Sequence, residues 1–256
     1  MFSFLWTFKD KDDDFEIERD YHIALRLAEK AVAGGSKKVE SNRSLFDSQF
    51  IAEAATICGR MYCVHRNDFV NGLKYLEMAA LDGNGDALCN VGHIHHIGVK
   101  GQVEANLVKA ISFLLTAAND GHKRAHRELG MIYLYHLDDG DIGNAQDGVM
   151  WMDLAAKEGF IDCYFRLGEI YAAGNNKYDG IPQNGKAAKK YLEMARDESN
   201  LSSNPRHKLP ENIWNLMLRN PLQAVTLMEN YEQTIGAKWR GQYLADLNPE
   251  TYSKLQ

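Results

Sequence analysis

Residues 75–83 read YLEMAALDG, residues 113–121 read FLLTAANDG and residues 151–159 read WMDLAAKEG. One pattern runs through all three: an aromatic residue, three positions, Ala-Ala, two positions, then glycine. A fourth copy, YLEMARDES over 191–199, opens with the same five letters as the first and then loses the second alanine and the glycine at Arg196 and Ser199. A second pattern precedes each copy. It sets a small residue, an apolar residue directly followed by glycine, and an aromatic or histidine at Ala54/Cys58/Gly59/Tyr62, Ala87/Val91/Gly92/His95, Ala125/Leu129/Gly130/Tyr133 and Cys163/Leu167/Gly168/Tyr171. The glycines of this set are 33, 38 and 38 residues apart. Self-similarity at such a period marks a stacked repeat architecture.

Both patterns have helical spacing, because residues at i, i+4 and i+8 share one stripe of an α-helix. Each repeat is therefore expected to be two antiparallel helices, A and B. A glycine inside a helix costs about 1 kcal/mol relative to alanine. Repeating that cost in register at Gly59, Gly92, Gly130 and Gly168 predicts that a neighbouring helix backbone comes close there. Gly83, Gly121 and Gly159 stand just past helix B and suit a left-handed C-terminal turn into the next repeat. One such hairpin cannot bury its apolar face alone, so the copies must stack.

Composition agrees. All five prolines lie from Pro182 onward, leaving 181 residues free of the strongest helix breaker. Apolar residues make up 45% of the 256 and charged residues 25%, which argues against disorder. The net charge of −6 gives no basic field for nucleic acid. The apolar start Met1–Phe8 is too short to span a bilayer and lacks the basic flank and cleavage site of a signal peptide. Cys58, Cys63, Cys89 and Cys163 fall in helix-like segments, which fits a reducing, cytoplasmic setting better than a disulfide scaffold.

The stretch Gly180, Ile181, Pro182, Gln183, then Ala187, Ala188, Tyr191 and Ala195, together with the LG-x-x-Y and AA-x-x-G signatures, resembles the Sel-one-like repeat family, short relatives of the tetratricopeptide repeat. The resemblance covers about Gln49 to Glu198. It departs from the family at His95 (usually Tyr), at Cys163 (usually Ala), in a long loop from Leu137 to Asp147, and at Arg196 and Ser199, where the array is expected to end. An earlier stripe, Ala24, Leu27, Ala31 and Gly35, reads as a degenerate helix B. The resemblance implies an all-α, right-handed α-solenoid of antiparallel helix pairs with helical caps. The expected organisation is an acidic N-terminal segment and capping helices over 1–48, four repeats over 49–199, and a C-terminal helical cap over 200–256.

At the ends, residues Asp10–Asp20 hold seven acids and two bases, the chemistry of a solvated helix start. Met1–Phe8 reads as a fold-back cap or a partner-binding tail. Asn200–Pro210 reads as a linker. Asn220-Pro221 reads as a helix start leading to the stripe Ala224, Met228, Tyr231 and Ile235, with Trp214, Trp239 and Tyr243 as aromatic bulk.

Hints of chemistry are weak. Gly180–Ala187 reads G-x-x-x-x-G-K-A, lacking the Ser/Thr and the preceding strand of a phosphate loop. His93, His95 and His96 crowd one helix, with His122, His126 and His136 in the next repeat, but no cysteine or carboxylate joins them at ligand spacing. Asp138–Asn144 lacks the ligand order of a calcium loop. Cys63 and His65 do not share a helix face as a nucleophile and base would. The expectation is no enzyme, no metal and no cofactor.

The resemblance implies protein binding. By analogy with tetratricopeptide arrays, the inner groove is lined by helix A residues outside the packing stripe: Arg60, His93, His96, Arg127, Met131, Tyr135, Phe165 and Glu169, with Thr56, Cys89 and Leu134 beside them. Arg, Met, Tyr and Phe are residue types favoured at interfaces. The function expected is a bacterial, cytoplasmic, non-enzymatic adaptor or regulator that holds one protein partner in its groove or at a capped end. The alternative is an immunity-type protein that neutralises a secreted toxin or effector. Neither nucleic acid nor a membrane is expected as partner.

Overall fold

The computed structural model describes residues 25–34, 45–135, 144–176, 178, 180–201 and 209–235. The expectations for Met1–Phe8, Asp10–Asp20, His136, Asp138–Gly143, Trp239 and Tyr243 lie outside the described residues. The chain folds as helix pairs in two compact units that divide between Asp120 and Gly121. The first unit holds α1 (25–34), α2 (Leu45–His65), α3 (Phe69–Leu81), α4 (Gly85–Ile97) and α5 (Leu107–Asn119). The second holds α6 (Lys123–Tyr135), α7 (Ala145–Lys157), α8 (Ile161–Ala173), α9 (Gly185–Leu201), α10 (Glu211–Arg219) and α11 (Ala224–Ile235). Among the described residues there is no strand, only the isolated bridge Val99–Val103.

The A–B pairs are α2–α3, α4–α5, α6–α7 and α8–α9, and within each unit consecutive pairs pack through α3–α4 and α7–α8. The expected close approach is present at every predicted glycine. A Cβ on Gly59 would lie 2.5 Å from Leu76 Cγ and 2.8 Å from the Gly72 carbonyl oxygen. One on Gly92 would lie 2.7 Å from Leu114 Cγ, one on Gly130 2.8 Å from Met152 Cγ, and one on Gly168 2.8 Å from Leu192 Cγ. Gly72 in turn abuts Cys63, and Gly148 abuts Leu134. Position numbers fall on one helix as they rise on the other, so each of these pairs is antiparallel.

The partner positions on helix B form a repeat of their own. Gly72, Ala110, Gly148 and Ala188 are small; Leu76, Leu114, Met152 and Leu192 fill the space over the A-helix glycines. With Ala79, Ala117, Ala155 and Ala195 they make the i, i+4, i+7 stripe of a buried helix face. Each helix B also begins on a side-chain cap. Asp68 accepts from the Asn71 amide (3.0 Å), Asn106 from Lys109 (2.9 Å), Asn144 from Gln146 (2.9 Å) and Asn184 from Ala187 (3.0 Å). In three pairs the cap residue's own N–H donates to the carbonyl of the helix A aromatic position: Asp68 to Tyr62, Asn106 to His95 and Asn184 to Tyr171. The turn out of helix B is made at Gly83, Gly121 and Gly159, with φ of 79°, 77° and 102°, where an L side chain is strained.

Helix α1 buries Leu25 and Val32 and leaves Leu27 61% exposed, so Leu27 of the helix B stripe does not face inward; Ala24 and Gly35 lie outside the described residues. Leu25, Glu29 and Val32 share a helix face, and Glu29 is drawn to α2 by the Tyr62 hydroxyl, which donates to it at 2.7 Å. Tyr133 is half-buried, and the ring stacked on Trp151 is that of His126, 5.5 Å away. The other pairs stack in register, Tyr62 on Tyr75, His95 on Phe113 and Tyr171 on Tyr191.

Candidate protein-binding face

The A helices carry the candidate positions, and the two units treat them differently. In the second unit they are engaged internally. Arg127 Nε donates to Asp162 Oδ2 at 2.8 Å, and the guanidinium lies 5.6 Å from the Phe160 ring centroid. Burial opposes the charge on Arg127, but Asp162 and Glu128 outweigh it and push the guanidinium's pKa up. Glu169 is buried and accepts from Arg166 Nη1 at 3.0 Å, so it is held within its own helix. Met131 packs against the core of this unit.

Phe165 is 2% exposed and meets Trp214 of α10 edge-on, centroids 6.0 Å apart. It is core, not groove lining. The reason is the chain that follows the repeats: Leu209, Trp214, Met217, Ala224 and Met228 join the core of α7, α8 and α9. Those aromatic and apolar residues cover the last pair where a further repeat would otherwise have packed. Helix Lys123–Tyr135 contains Tyr135, whose side chain lies outside the described residues.

In the first unit, Arg60 and His96 are half-buried, while His93 is only 7% exposed. Thr56 is buried and donates to the Ala52 carbonyl at 2.7 Å. What α2 presents instead is Phe50, 57% exposed, and Ile57, 44% exposed. Seven residues apart, they lie on one line of the helix, with Met61 beside them and Arg60 at the flank. Neither is among the groove residues expected from the sequence. The signal was available: α2 carries apolar residues outside its packing stripe of Ala54, Cys58 and Tyr62, so one stripe cannot bury them all.

The features singled out for chemistry are placed as follows. Gly180–Asn184 lies between α8 and α9 and Gly185–Ala187 opens α9, with Ile181 buried and Asn184 capping the helix; among the described residues no strand precedes it. His95 stacks on Phe113, and among the described residues no three of His, Cys, Asp or Glu converge as metal ligands. All four cysteines are buried thiols, and burial pushes those of Cys58 and Cys63 up to about 12. No helix of the described residues is long and apolar enough to cross a membrane.

The family model of the Sel1 repeat matches residues 12–36, 59–84, 85–122, 123–160 and 161–200. The chain belongs to the Sel1 repeat family. The first match precedes the four copies read from the sequence, and the last three coincide with α4–α5, α6–α7 and α8–α9. No curated protein matches the chain. Solved structures similar to this member of the family include a Sel1 repeat protein from Oxalobacter formigenes, at 21% identity over 78% of this chain and 87% of that one, TM-score 0.49. A second is a protective antigen with an SLR fold from uropathogenic Escherichia coli, at 19% identity, TM-score 0.49; the match spans 92% of this chain and 56% of that one. A third is an immunity protein from Pseudomonas aeruginosa, at 15% identity over 81% and 82%, TM-score 0.27. Membership of the family makes a protein-interaction module the coarse assignment.

Proposed function

We propose that this Sel1 repeat protein is a non-enzymatic adaptor, acting in a reducing cytoplasm, that binds one protein partner on the A-helix face of its first unit. The observation that carries the reading is the exposure of Phe50 and Ile57 on one line of α2. Large apolar side chains left in water together are the usual anchor of an interface. The corresponding face of the second unit supports the choice by contrast, since Arg127 and Glu169 are paired there and Phe165 is covered by Trp214. In this reading residues 200–256 serve as a cap, supported by the packing of α10 and α11 on α8 and α9.

The test is capture of partners from the native cell by the wild type beside Phe50→Glu/Ile57→Glu. Both positions are exposed, so the variant keeps its fold, which circular dichroism checks. Leu81→Glu, at an 88% exposed site on α3, is the control. A stoichiometric partner held by wild type and control and lost by the double variant supports the reading. Retention by the double variant refutes it. The partner's behaviour when expressed alone then sets the role: one that poisons the cell makes this protein its neutraliser, and one that does not makes it an adaptor.

A further inference from the structure

Two junctions between consecutive repeats place a phenol on the same acid position, from helix A in one (Tyr62) and from helix B in the other (Tyr191). An acid two places after the aromatic position of one helix B receives a phenol hydroxyl from the next repeat. Glu29, two after Leu27 in that position, accepts from Tyr62 at 2.7 Å. Asp153, two after Trp151, accepts from Tyr191 at 3.0 Å. Each phenol also lies near a cation, Arg66 at 4.9 Å from the Tyr62 centroid and Lys190 at 5.9 Å from that of Tyr191.

The α3–α4 junction has the acid but no phenol. Glu77 stands two after Tyr75, and the rings beyond it are His95 and Phe113, neither of which carries a hydroxyl. The imidazole is too short to replace one. His95 Nε2 stays 3.9 Å from Glu77 Oε1, and both ring nitrogens are buried without a hydrogen bond. Beside this gap opens a cleft of about 470 Å³, several times the volume of a phenol ring. Val70 and Leu73 form an apolar wall, Glu77 and the edge of His95 a polar end, and Lys74 and Lys109 stand at the side. Its frame is fixed, because Gln102 accepts from the Phe69 amide (2.8 Å) and donates to the Asn67 carbonyl (2.9 Å), fastening the 98–106 loop to the preceding repeat.

We propose that this cleft is a binding site for a tyrosine side chain of a protein partner, whose hydroxyl donates to Glu77 and whose ring lies along Val70 and Leu73. The occupant follows from the chain's own precedents: a phenol answers the acid at both other helices B that carry one in this position, Glu29 and Asp153, while α5 has Leu115 there. Phenylalanine would leave Glu77 unanswered, and a phosphorylated tyrosine would set its charge against that carboxylate. Glu77 is 46% exposed in its side chain, so an incoming hydroxyl reaches it without moving the backbone. The site is separate from the α2 face and stands or falls without it.

The experiment is NMR titration of the full chain with N-acetyl-tyrosinamide, beside N-acetyl-phenylalaninamide, following the His95 ring and the backbone amides of Glu77 and Lys109. The tyrosine probe is expected to shift these signals saturably, and the phenylalanine probe to bind about tenfold more weakly. Glu77→Gln should cost the tyrosine probe about tenfold by replacing a charge-assisted acceptor with a neutral one. His95→Tyr supplies the phenol from within and should abolish binding while the chain stays folded. Equal binding of both probes, unchanged binding to His95→Tyr, or no shift at these signals would each overturn the proposal.

Discussion

Replacing the helix A glycines by alanine separates two opposed effects whose balance differs from site to site. Alanine gains about 1 kcal/mol over glycine inside a helix. Against that, overpacking a tight interface costs about 1–3 kcal/mol. At Gly59 the new Cβ would stand 2.8 Å from the Gly72 carbonyl oxygen and 2.5 Å from Leu76 Cγ, so the two backbones themselves must part before ordinary contact at 3.4 Å is restored. At Gly92 the backbone oxygen of Ala110 is already at 3.2 Å, and the closer obstacle, Leu114 Cγ at 2.7 Å, is a side chain that can turn. Gly59→Ala is therefore expected to destabilise the first unit by about 1–2 kcal/mol, and Gly92→Ala to lie within about 1 kcal/mol of wild type. Both sites belong to one unit, so the ranking does not require the whole chain to unfold in a single step. Urea titration followed by circular dichroism reads it. With a slope of about 1–3 kcal/mol/M, a 1 kcal/mol loss lowers the midpoint by about 0.3–1 M. A Gly59→Ala protein as stable as wild type, or the reverse order of the two variants, would refute the backbone-contact account of these glycines.

The second unit offers a similar test of its C-terminal cover. Trp214→Ala should cost about 3–5 kcal/mol, because the ring is 1% exposed and its loss uncovers Phe165; hydrogen exchange should rise in α8 and α10 together, and a rise in α10 alone would contradict the packing. Asn144→Ala removes a cap that accepts from both Gln146 and Asp147, and a loss of about 1 kcal/mol in urea titration is expected, while no loss would show the cap to be ornamental. Stability should also fall in mild acid. His95 is held below its ordinary pKa by burial first and by Lys109 second, against the pull of Glu77, and His65 is lowered by burial. A histidine depressed in the folded state contributes stability that is complete above about 6.5 and is lost as pH falls below it, since the unfolded chain takes the proton more readily. The urea midpoint of wild type should therefore drop between pH 7.5 and 5, and drop less in His95→Tyr; identical drops would sink the assignment to His95.

The repeat was legible because glycine cannot hide inside a helix. Gly59, Gly92, Gly130 and Gly168 have only a steric reason to recur there, and the sequence spacing alone led to the antiparallel pairs. The helix B partners were equally visible and went unread. Gly72, Ala110, Gly148 and Ala188 mix two residue types, and the caps Asp68, Asn106, Asn144 and Asn184 set one acid beside three amides, so neither set looks like a motif until the contacts align it. The candidate groove residues were less legible for a different reason. Helical periodicity gives a residue's angle on its own helix but not what stands opposite. Phe165 has the right angle for a groove and is buried by Trp214, 49 positions away in the chain, across the stretch Asn200–Pro210 that reads as a linker. Phe50 lies ahead of the recognised pattern Ala54–Tyr62, and Ile57 lies within it but off its stripe.

The contrast between the two A-helix faces also bears on how a groove variant should be designed. Arg127 is an attractive residue to reverse in charge if its neighbours are ignored. With Asp162 bonded to it at 2.8 Å and Glu128 near, Arg127→Glu would gather three carboxylates where one guanidinium now neutralises two. Breaking a largely buried ion pair from one side leaves the other charge uncompensated and costs about 3–5 kcal/mol. A partner lost from such a variant would report unfolding as readily as a broken interface. The same energetics argue against a partner binding there at all: it would have to displace pairs already made, and gain only their equivalents. On α2 there is no such exchange. Phe50 and Ile57 have water to lose, and at about 25 cal/mol per Å² of apolar surface their burial is a net gain to whatever protein covers them.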